Sequence, residues 1–339
     1  MKKLLLLLSL LLTLFSFGQN NKIDSLIRIG IQHHDDGEYQ KAIEIYNAAL
    51  KIDPKSTLAN YELSMTYMYA GDYEKSIKYS NIVIKQKDKH LLPAYIVKGS
   101  SLDNLGKTKQ SIKLFNKAIA EFGDHYLLHY NLGVNYSKMQ DYKNSESAYI
   151  NAIMANHDHA SSHFGLALTK SNQDQRVQSL LGLYYFLLIE PSSERAKTAY
   201  KLLKEQLGGS VQKDENNPKN INVLINSQRM ESEFGAAEIM LAMLEASNSL
   251  DENKGKTPDE LFIENTKSFF TVLGELNEKE KKTNIWWDFY VPLLYELAKS
   301  EYMDVFCYYI SISSNEKATE WLETNNEKLE NFAKWLNED

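Results

Sequence analysis

The stretch GEYQKAIEIYNAALKIDP, Gly37 to Pro54, carries its own start and stop signals. Gly37 tolerates a left-handed turn and Pro54 cannot continue a helix. Between them Tyr39, Ala42, Tyr46 and Ala49 recur at helical spacing, large and small in alternation. With Ile23 set as position 1 of a frame, Gly30 falls at 8, Gly37 at 15, Tyr39 at 17, Ala42 at 20, Tyr46 at 24, Ala49 at 27 and Pro54 at 32.

The frame recurs along the chain. From Thr57 it meets Ser64 at 8, Tyr67 at 11, Gly71 at 15, Tyr73 at 17, Ser76 at 20 and Val83 at 27. From Leu92 the same places receive Gly99, Leu102, Gly106, Thr108, Ser111 and Ala118, with Phe115 at 24. From Tyr126 they receive Gly133, Tyr136, Gln140, Tyr142, Ser145 and Ala152, with Tyr149 at 24. From Ala160 come Ala167, Lys170, Asp174, Ser179 and Phe186, and Pro191 returns at 32. Five starts about 34 residues apart describe a stack of helix pairs.

On these residues the chain resembles the tetratricopeptide repeat family from about Ile23 to Pro191. The resemblance implies an all-α, right-handed superhelical solenoid of five helix-turn-helix repeats. Small residues at positions 8 and 20 suit helices that cross closely, and Gly37, Gly71 and Gly106 fall where positive φ is required. Aromatic residues at positions 11 and 24 are expected to fill the gap between neighbouring repeats. The fifth repeat departs most, with SNQDQR at its turn and the bulky Phe186 at 27.

A stack exposes an apolar end unless it is capped. Ser193-Glu194 followed by Ala196, Ala199, Tyr200, Leu203 and Leu207 reads as an amphipathic capping helix ended by Gly208-Gly209. The expected organisation is a signal peptide over 1–18, a solenoid with its cap over 22–209, a linker or loop over 210–220 and a helical domain over 221–339. INVLIN, Ile221 to Asn226, alternates and reads as a short strand or an extended lead-in. Thr257-Pro258-Asp259-Glu260 carries a capping box, with Phe262, Phe269, Leu273 and Leu276 on one face of the helix that follows. Further helices are expected over Trp286–Lys299, Glu301–Ile312, Glu316–Glu323 and Glu327–Asn337, with Ser313 and Thr324 as caps.

At 339 residues and 43% apolar, with six prolines, the chain can bury a continuous core. Lys2 and Lys3 precede the apolar run Leu4 to Phe17, and Ser16-Phe17-Gly18 suits cleavage. That run falls short of the roughly 20 residues a spanning helix needs, so it predicts a cleaved signal and no stable membrane insertion afterwards. The expected location is the periplasm or the envelope of a bacterium. Removing Lys2 and Lys3 from 38 basic residues leaves 36 against 45 acidic ones, a mature charge of −9 that disfavours nucleic acid. Cys307 is the single cysteine, so no internal disulfide is possible, and in VFCYYI it reads as a buried small hydrophobe.

Little in the chain points to catalysis. No phosphate-cradling loop, nucleophile elbow or zinc-protease helix is present, so no enzyme, catalytic residue, metal or cofactor is expected. His159 and His163 stand four apart, but a helix start between them breaks metal-ligand geometry. His33-His34-Asp35-Asp36 reads as the solvated end of a first helix. IWWDFYVPLLYEL, Ile285 to Leu297, reads first as a core and second as an aromatic pocket for a peptide or glycan.

The resemblance implies that positions 2, 5, 9 and 12 of each first helix line a concave groove. Those places hold Ile27 and Ile31; Leu58, Tyr61, Met65 and Met68; Ile96, Ser100 and Asp103; Leu127, Tyr130 and Val134; and Phe164, Leu168 and Ser171. Such a lining is apolar and aromatic, lacking the Lys, Arg and Asn that grip a C-terminal carboxylate. An exposed apolar strip needs covering, either by a partner segment anchored on Tyr61, Tyr130 and Phe164 or by the chain's own C-terminal helices. The expected function is an exported scaffold that binds another protein or peptide segment. The alternative makes the C-terminal aromatic region a ligand-binding, glycan-binding or enzymatic module recruited by the repeats, and a third reading is self-assembly.

Overall fold

The structure, a computed structural model, describes residues 21–213, 221–224, 226–248, 250, 253–280 and 282–337. The predicted signal peptide and residues 214–220 of the predicted linker lie outside them. Helical pairs follow the frame: α1 (21–35) with α2 (Tyr39–Ile52), α3 (Thr57–Tyr69) with α4 (Tyr73–Gln86), and α5 (Leu91–Asn104) with α6 (Thr108–Phe122). Next come α7 (Tyr126–Lys138), α8 (Tyr142–Ala155), α9 (Ala160–Asn172) and α10 (Arg176–Ile189). Every second helix, from α2 to α10, begins at position 17 of the frame. These ten helices follow one another as the tandem helix pairs that the frame predicts.

One turn is built five times. Position 15 is left-handed in each repeat, with φ of 75° at Gly37, 81° at Gly71, 74° at Gly106, 59° at Gln140 and 60° at Asp174. The accompanying bonds repeat as well: Gly71 N donates to Met68 O at 3.1 Å and Asp72 N to Tyr67 O at 2.9 Å, the pair that closes a Schellman motif. Gln140 and Asp141, and Asp174 and Gln175, make the same two bonds. Tertiary packing therefore holds the last two turns in a backbone region that costs a side-chain-bearing residue about 1 kcal/mol.

The small residues at position 8 lie where the two helices of one repeat approach, and the aromatic at position 24 departs from its expected place between repeats. A Cβ on Gly30 would lie 2.4 Å from the Tyr46 ring, and one on Gly99 would lie 2.2 Å from Phe115. Position 24 thus fills its own repeat in these two cases, because only a missing Cβ lets the aromatic ring lie against the first helix. Tyr149 behaves as expected and reaches Gly165 of the next repeat, where an added Cβ would lie 2.4 Å away.

Position 20 also bonds. Ser111 Oγ donates to Gly99 O at 2.7 Å and Ser179 Oγ to Ala167 O at 2.9 Å, tying the two helices of one pair together. Between repeats, Ser76 meets Ser101 at 2.8 Å, Asn135 Nδ2 donates to Ser111 Oγ at 2.7 Å, and Ser145 meets Thr169 at 3.1 Å. All these side chains are buried, so each bond offsets the desolvation of its own groups.

The chain divides into two compact units, the first ending at Asn135 and the second beginning at Tyr136. In the second, α11 (Glu194–Leu207) packs on α10 and starts at Ser193, whose Oγ accepts from Ala196 N at 3.1 Å. Strands β1 (Val211–Lys213) and β2 (Ile221–Val223) pair antiparallel, which gives INVLIN its extended conformation a partner. Then follow α12 (Ser227–Met230), α13 (Gly235–Ser247) and α14 (Pro258–Glu280). The capping box forms: Glu260 Oε2 accepts from Thr257 N at 2.7 Å, and Thr257 Oγ1 accepts from Glu260 N at 3.2 Å.

A π-helical turn at Trp286–Tyr290 runs into α15 (Val291–Lys299), followed by α16 (Met303–Ser311), α17 (Glu316–Thr324) and α18 (Asn326–Leu336). Two expected caps are corrected. Asn315, not Ser313, caps α17 by accepting from Lys317 N at 3.1 Å; Thr324 is the last residue of α17, and Asn325 precedes α18. Helix α10 is buried along nearly its whole length, because α9, α11, α13, α16 and the π-helical turn all pack against it. Bulky Phe186 is accommodated there at 0% exposure.

Candidate binding groove

In the first unit the predicted lining divides in two. Ile27 is 2% exposed and belongs to the core with Ile23, Tyr46 and Leu63, whereas Ile31 and Leu58 pack against that core from its edge. Ile27, Ile31 and Leu58 also border a shallow hollow shared with Asp24 and Arg28. Tyr61, Met65, Met68, Ile96, Leu127, Tyr130 and Val134 are half-buried. The Tyr61 hydroxyl donates to Met65 Sδ at 3.8 Å, and its ring stacks on His90 at 5.4 Å. Ser100 Oγ donates to Asn131 Oδ1 at 3.1 Å, and buried Asp103 accepts from Thr108 Oγ1 at 2.7 Å. These polar members are thereby engaged within the repeats.

In the second unit Phe164 and Leu168 are half-buried. Phe164 stacks on Phe186 at 4.6 Å, which fixes the ring and leaves one face uncovered by that partner. Ser171 Oγ accepts from Gln206 Nε2 at 3.0 Å.

His34 corrects the reading of a solvated helix end. It is half-buried, its Nδ1 lies 2.8 Å from Thr66 Oγ1, and its ring packs edge-on to Tyr69 at 5.1 Å. Burial holds its pKa below the usual imidazole value. Tyr39 stacks on the same Tyr69, which is 58% exposed.

His163 is a core residue. Its Nε2 lies 2.7 Å from the His157 carbonyl, which can only accept, so Nε2 carries the proton and Nδ1 accepts from the Tyr290 hydroxyl at 2.7 Å. Burial pushes its pKa down to about 4, so the ring is neutral at pH 7. His159 precedes α9 and pairs with Ser162 Oγ at 2.7 Å. Among the described residues, no group of three or more His, Cys, Asp and Glu side chains could hold a metal ion.

The tryptophans of IWWDFYVPLLYEL are interior, with Trp286 at 3% and Trp287 at 2% exposure. Trp287 stacks on Phe234 at 4.6 Å, and its Nε1 donates to Glu233 Oε2 at 2.8 Å. Cys307 is buried, and burial pushes its thiol pKa far up.

Several charged groups carry weight that the frame does not reveal. Arg176 donates through Nε to Glu238 Oε2 at 2.8 Å and through Nη1 to Ser210 Oγ at 2.6 Å, tying α10 to α13 and to the residue preceding β1. Its neighbour Arg229 pairs with Asp174. Lys170, 3% exposed, pairs with Glu146 and lies 5.6 Å from the Trp286 ring centre. Glu62, 8% exposed, makes no hydrogen bond or ion pair among the described residues, and burial followed by repulsion from Asp35 pushes its pKa up to about 7. The one signal available beforehand was the polarity of SNQDQR.

Models of the tetratricopeptide repeat match residues 33–90, 92–122 and 126–159. No curated protein matches the chain. Among solved structures, it is similar to a thermophilic tetratricopeptide protein of Thermus thermophilus, at 18% identity and TM-score 0.47 over 55% of this chain and 98% of that one. PilW, a type IV pilus biogenesis factor, aligns at 17% identity and TM-score 0.46 over 55% and 90%. MamA of Desulfovibrio magneticus RS-1 aligns at 16% identity and TM-score 0.43 over 51% and 97%.

Proposed function

We propose, from the premise that residues 33–159 are tetratricopeptide repeats, that this chain is an exported scaffold that binds a segment of another protein. The observation that carries the reading is the state of the first-helix residues. Ile31, Leu58, Tyr61, Met65, Met68, Ile96, Tyr130 and Val134 in one unit, and Phe164 and Leu168 in the other, are neither in the core nor fully exposed. Half-buried apolar and aromatic side chains on rigid helices can accept a partner with little ordering cost, since their rotamers are already held by neighbours.

Export to the envelope rests on Lys2, Lys3 and the apolar run Leu4 to Phe17. Among the described residues no helix is long and apolar enough to cross a membrane. In this reading residues 22–209 form the binding array, 221–339 form a helical domain joined to it, and the chain binds without catalysing a reaction.

The test is photocrosslinking in intact cells from a reactive residue at position 61 or 130, with the adducts identified by mass spectrometry. Adducts to one other envelope protein are the expected result. Adducts confined to residues 221–339 of the same chain, or no adducts at all, would overturn the proposal.

A further inference from the structure

Away from the repeat turns, the second unit encloses a cleft of about 310 Å³ between α11, α13 and the first turns of α14. Its walls are apolar, built by Leu207, Leu241, Leu244, Pro258, Leu261 and Phe262. Three charged side chains border it. Glu245 is engaged, its carboxylate accepting from Gly209 N at 2.9 Å and Ser210 N at 2.7 Å. Lys256 is neutralised by Glu264 at 2.5 Å.

Lys204 differs. Among the described residues no carboxylate lies within ion-pair distance of it, and its ammonium sits 4.4 Å from the centre of the Phe262 ring. Lys204 is exposed at the rim of the cleft, where desolvation by the apolar wall lowers its pKa and the Asp259 carboxylate offsets this in part. A cation at the rim of an apolar cleft lets an amphiphile keep its anionic head in water beside the ammonium while its tail enters the cleft.

We propose that this cleft binds a single-chain amphiphile with a carboxylate head, of the fatty-acid class, its tail against the leucines and its head on Lys204. The volume fits. At about 30 Å³ per water-sized group, 310 Å³ holds an aliphatic chain of roughly eight to ten carbons, and ligand sites commonly begin near 300 Å³. An anionic head suits the rim, because the exposed Lys204 ammonium makes no ion pair or hydrogen bond among the described residues. The cleft involves none of the groove residues, so its failure would leave the crosslinking result untouched.

The test is isothermal titration calorimetry of the purified full chain with sodium decanoate below its micelle threshold at pH 7.5. Decanoate is expected to bind one site, Lys204→Met to weaken it at least tenfold, and Lys204→Arg to retain it. Decanol, which has the tail and no charge, is expected to bind wild type and Lys204→Met alike. Leu244→Asp, which puts a charge on the apolar wall, is expected to abolish decanoate binding. Circular dichroism melting of each variant separates lost binding from lost fold. Absent decanoate binding, equal binding by Lys204→Met, or equal affinity for decyltrimethylammonium would each overturn the proposal.

Discussion

Replacing Glu62 with Gln should stabilise the first unit, and only at pH values where the native carboxyl is charged. Glu62 lies on α3, 8% exposed, near the Tyr46 ring and facing the charge of Asp35. Burial first and Asp35 second raise its pKa from 4.5 to about 7. Between those values the folded chain keeps a proton that the unfolded chain has released, so stability falls as pH rises from 4.5 to 7 and is level above. At 1.36 kcal/mol per tenfold change in proton affinity, the charged carboxylate costs the fold about 3 kcal/mol above pH 8.

Glutamine keeps the shape and removes the titration. The variant is expected to match wild type near pH 5 and to exceed it by about 3 kcal/mol at pH 8. Urea unfolding followed by circular dichroism at pH 5, 6, 7 and 8 measures the difference. Hydrogen exchange of peptides from α2 and α3 locates it in this unit. A stability difference that does not change across that range would refute the reasoning, since it would mean that Glu62 titrates at its ordinary value.

Gly99→Ala places a Cβ 2.2 Å from Phe115, a buried ring, so a loss of about 1–3 kcal/mol is expected by chemical denaturation, with partial recovery in Gly99→Ala/Phe115→Leu. Gln140→Gly relieves a left-handed backbone at φ 59° and should gain about 1 kcal/mol, whereas Asp174→Gly at φ 60° gains less because it forfeits the bonds to Arg229 and Asn226; thermal midpoints compare the two. Glu238→Gln leaves the Arg176 guanidinium, 6% exposed, without a carboxylate and should cost about 3–5 kcal/mol; Arg176→Met should cost less because Glu238 keeps Arg229 at 4.0 Å, and a double-mutant cycle with Arg176→Met/Glu238→Leu measures the coupling.

The repeat architecture was legible because each of its signals is local. Gly at position 15, a small residue at position 8 and Pro at position 32 act within one helix pair, and the structure places a left-handed turn at position 15 even where Gln140 and Asp174 replace glycine. Helix starts at Ser193 and Thr257 were readable for the same reason, since a cap reaches three residues along its own chain. Where two neighbouring residues compete for the cap, as Ser313 and Asn315 do, residue type alone does not choose between them; the bond from Lys317 N does.

Groups that meet across the fold left no such mark. Arg176 and Glu238 are 62 residues apart and share no frame position, and Lys204 faces a cleft whose other walls come from two later helices. Periodicity specifies which face of a helix is apolar, which is enough to stack repeats; it does not specify which later element covers that face. The period and the turns could therefore be read from residues in order. The burial of α10, the raised pKa of Glu62 and the placing of Lys204 at the rim of an apolar cleft arise from desolvation and distance, quantities that exist once the helices have packed.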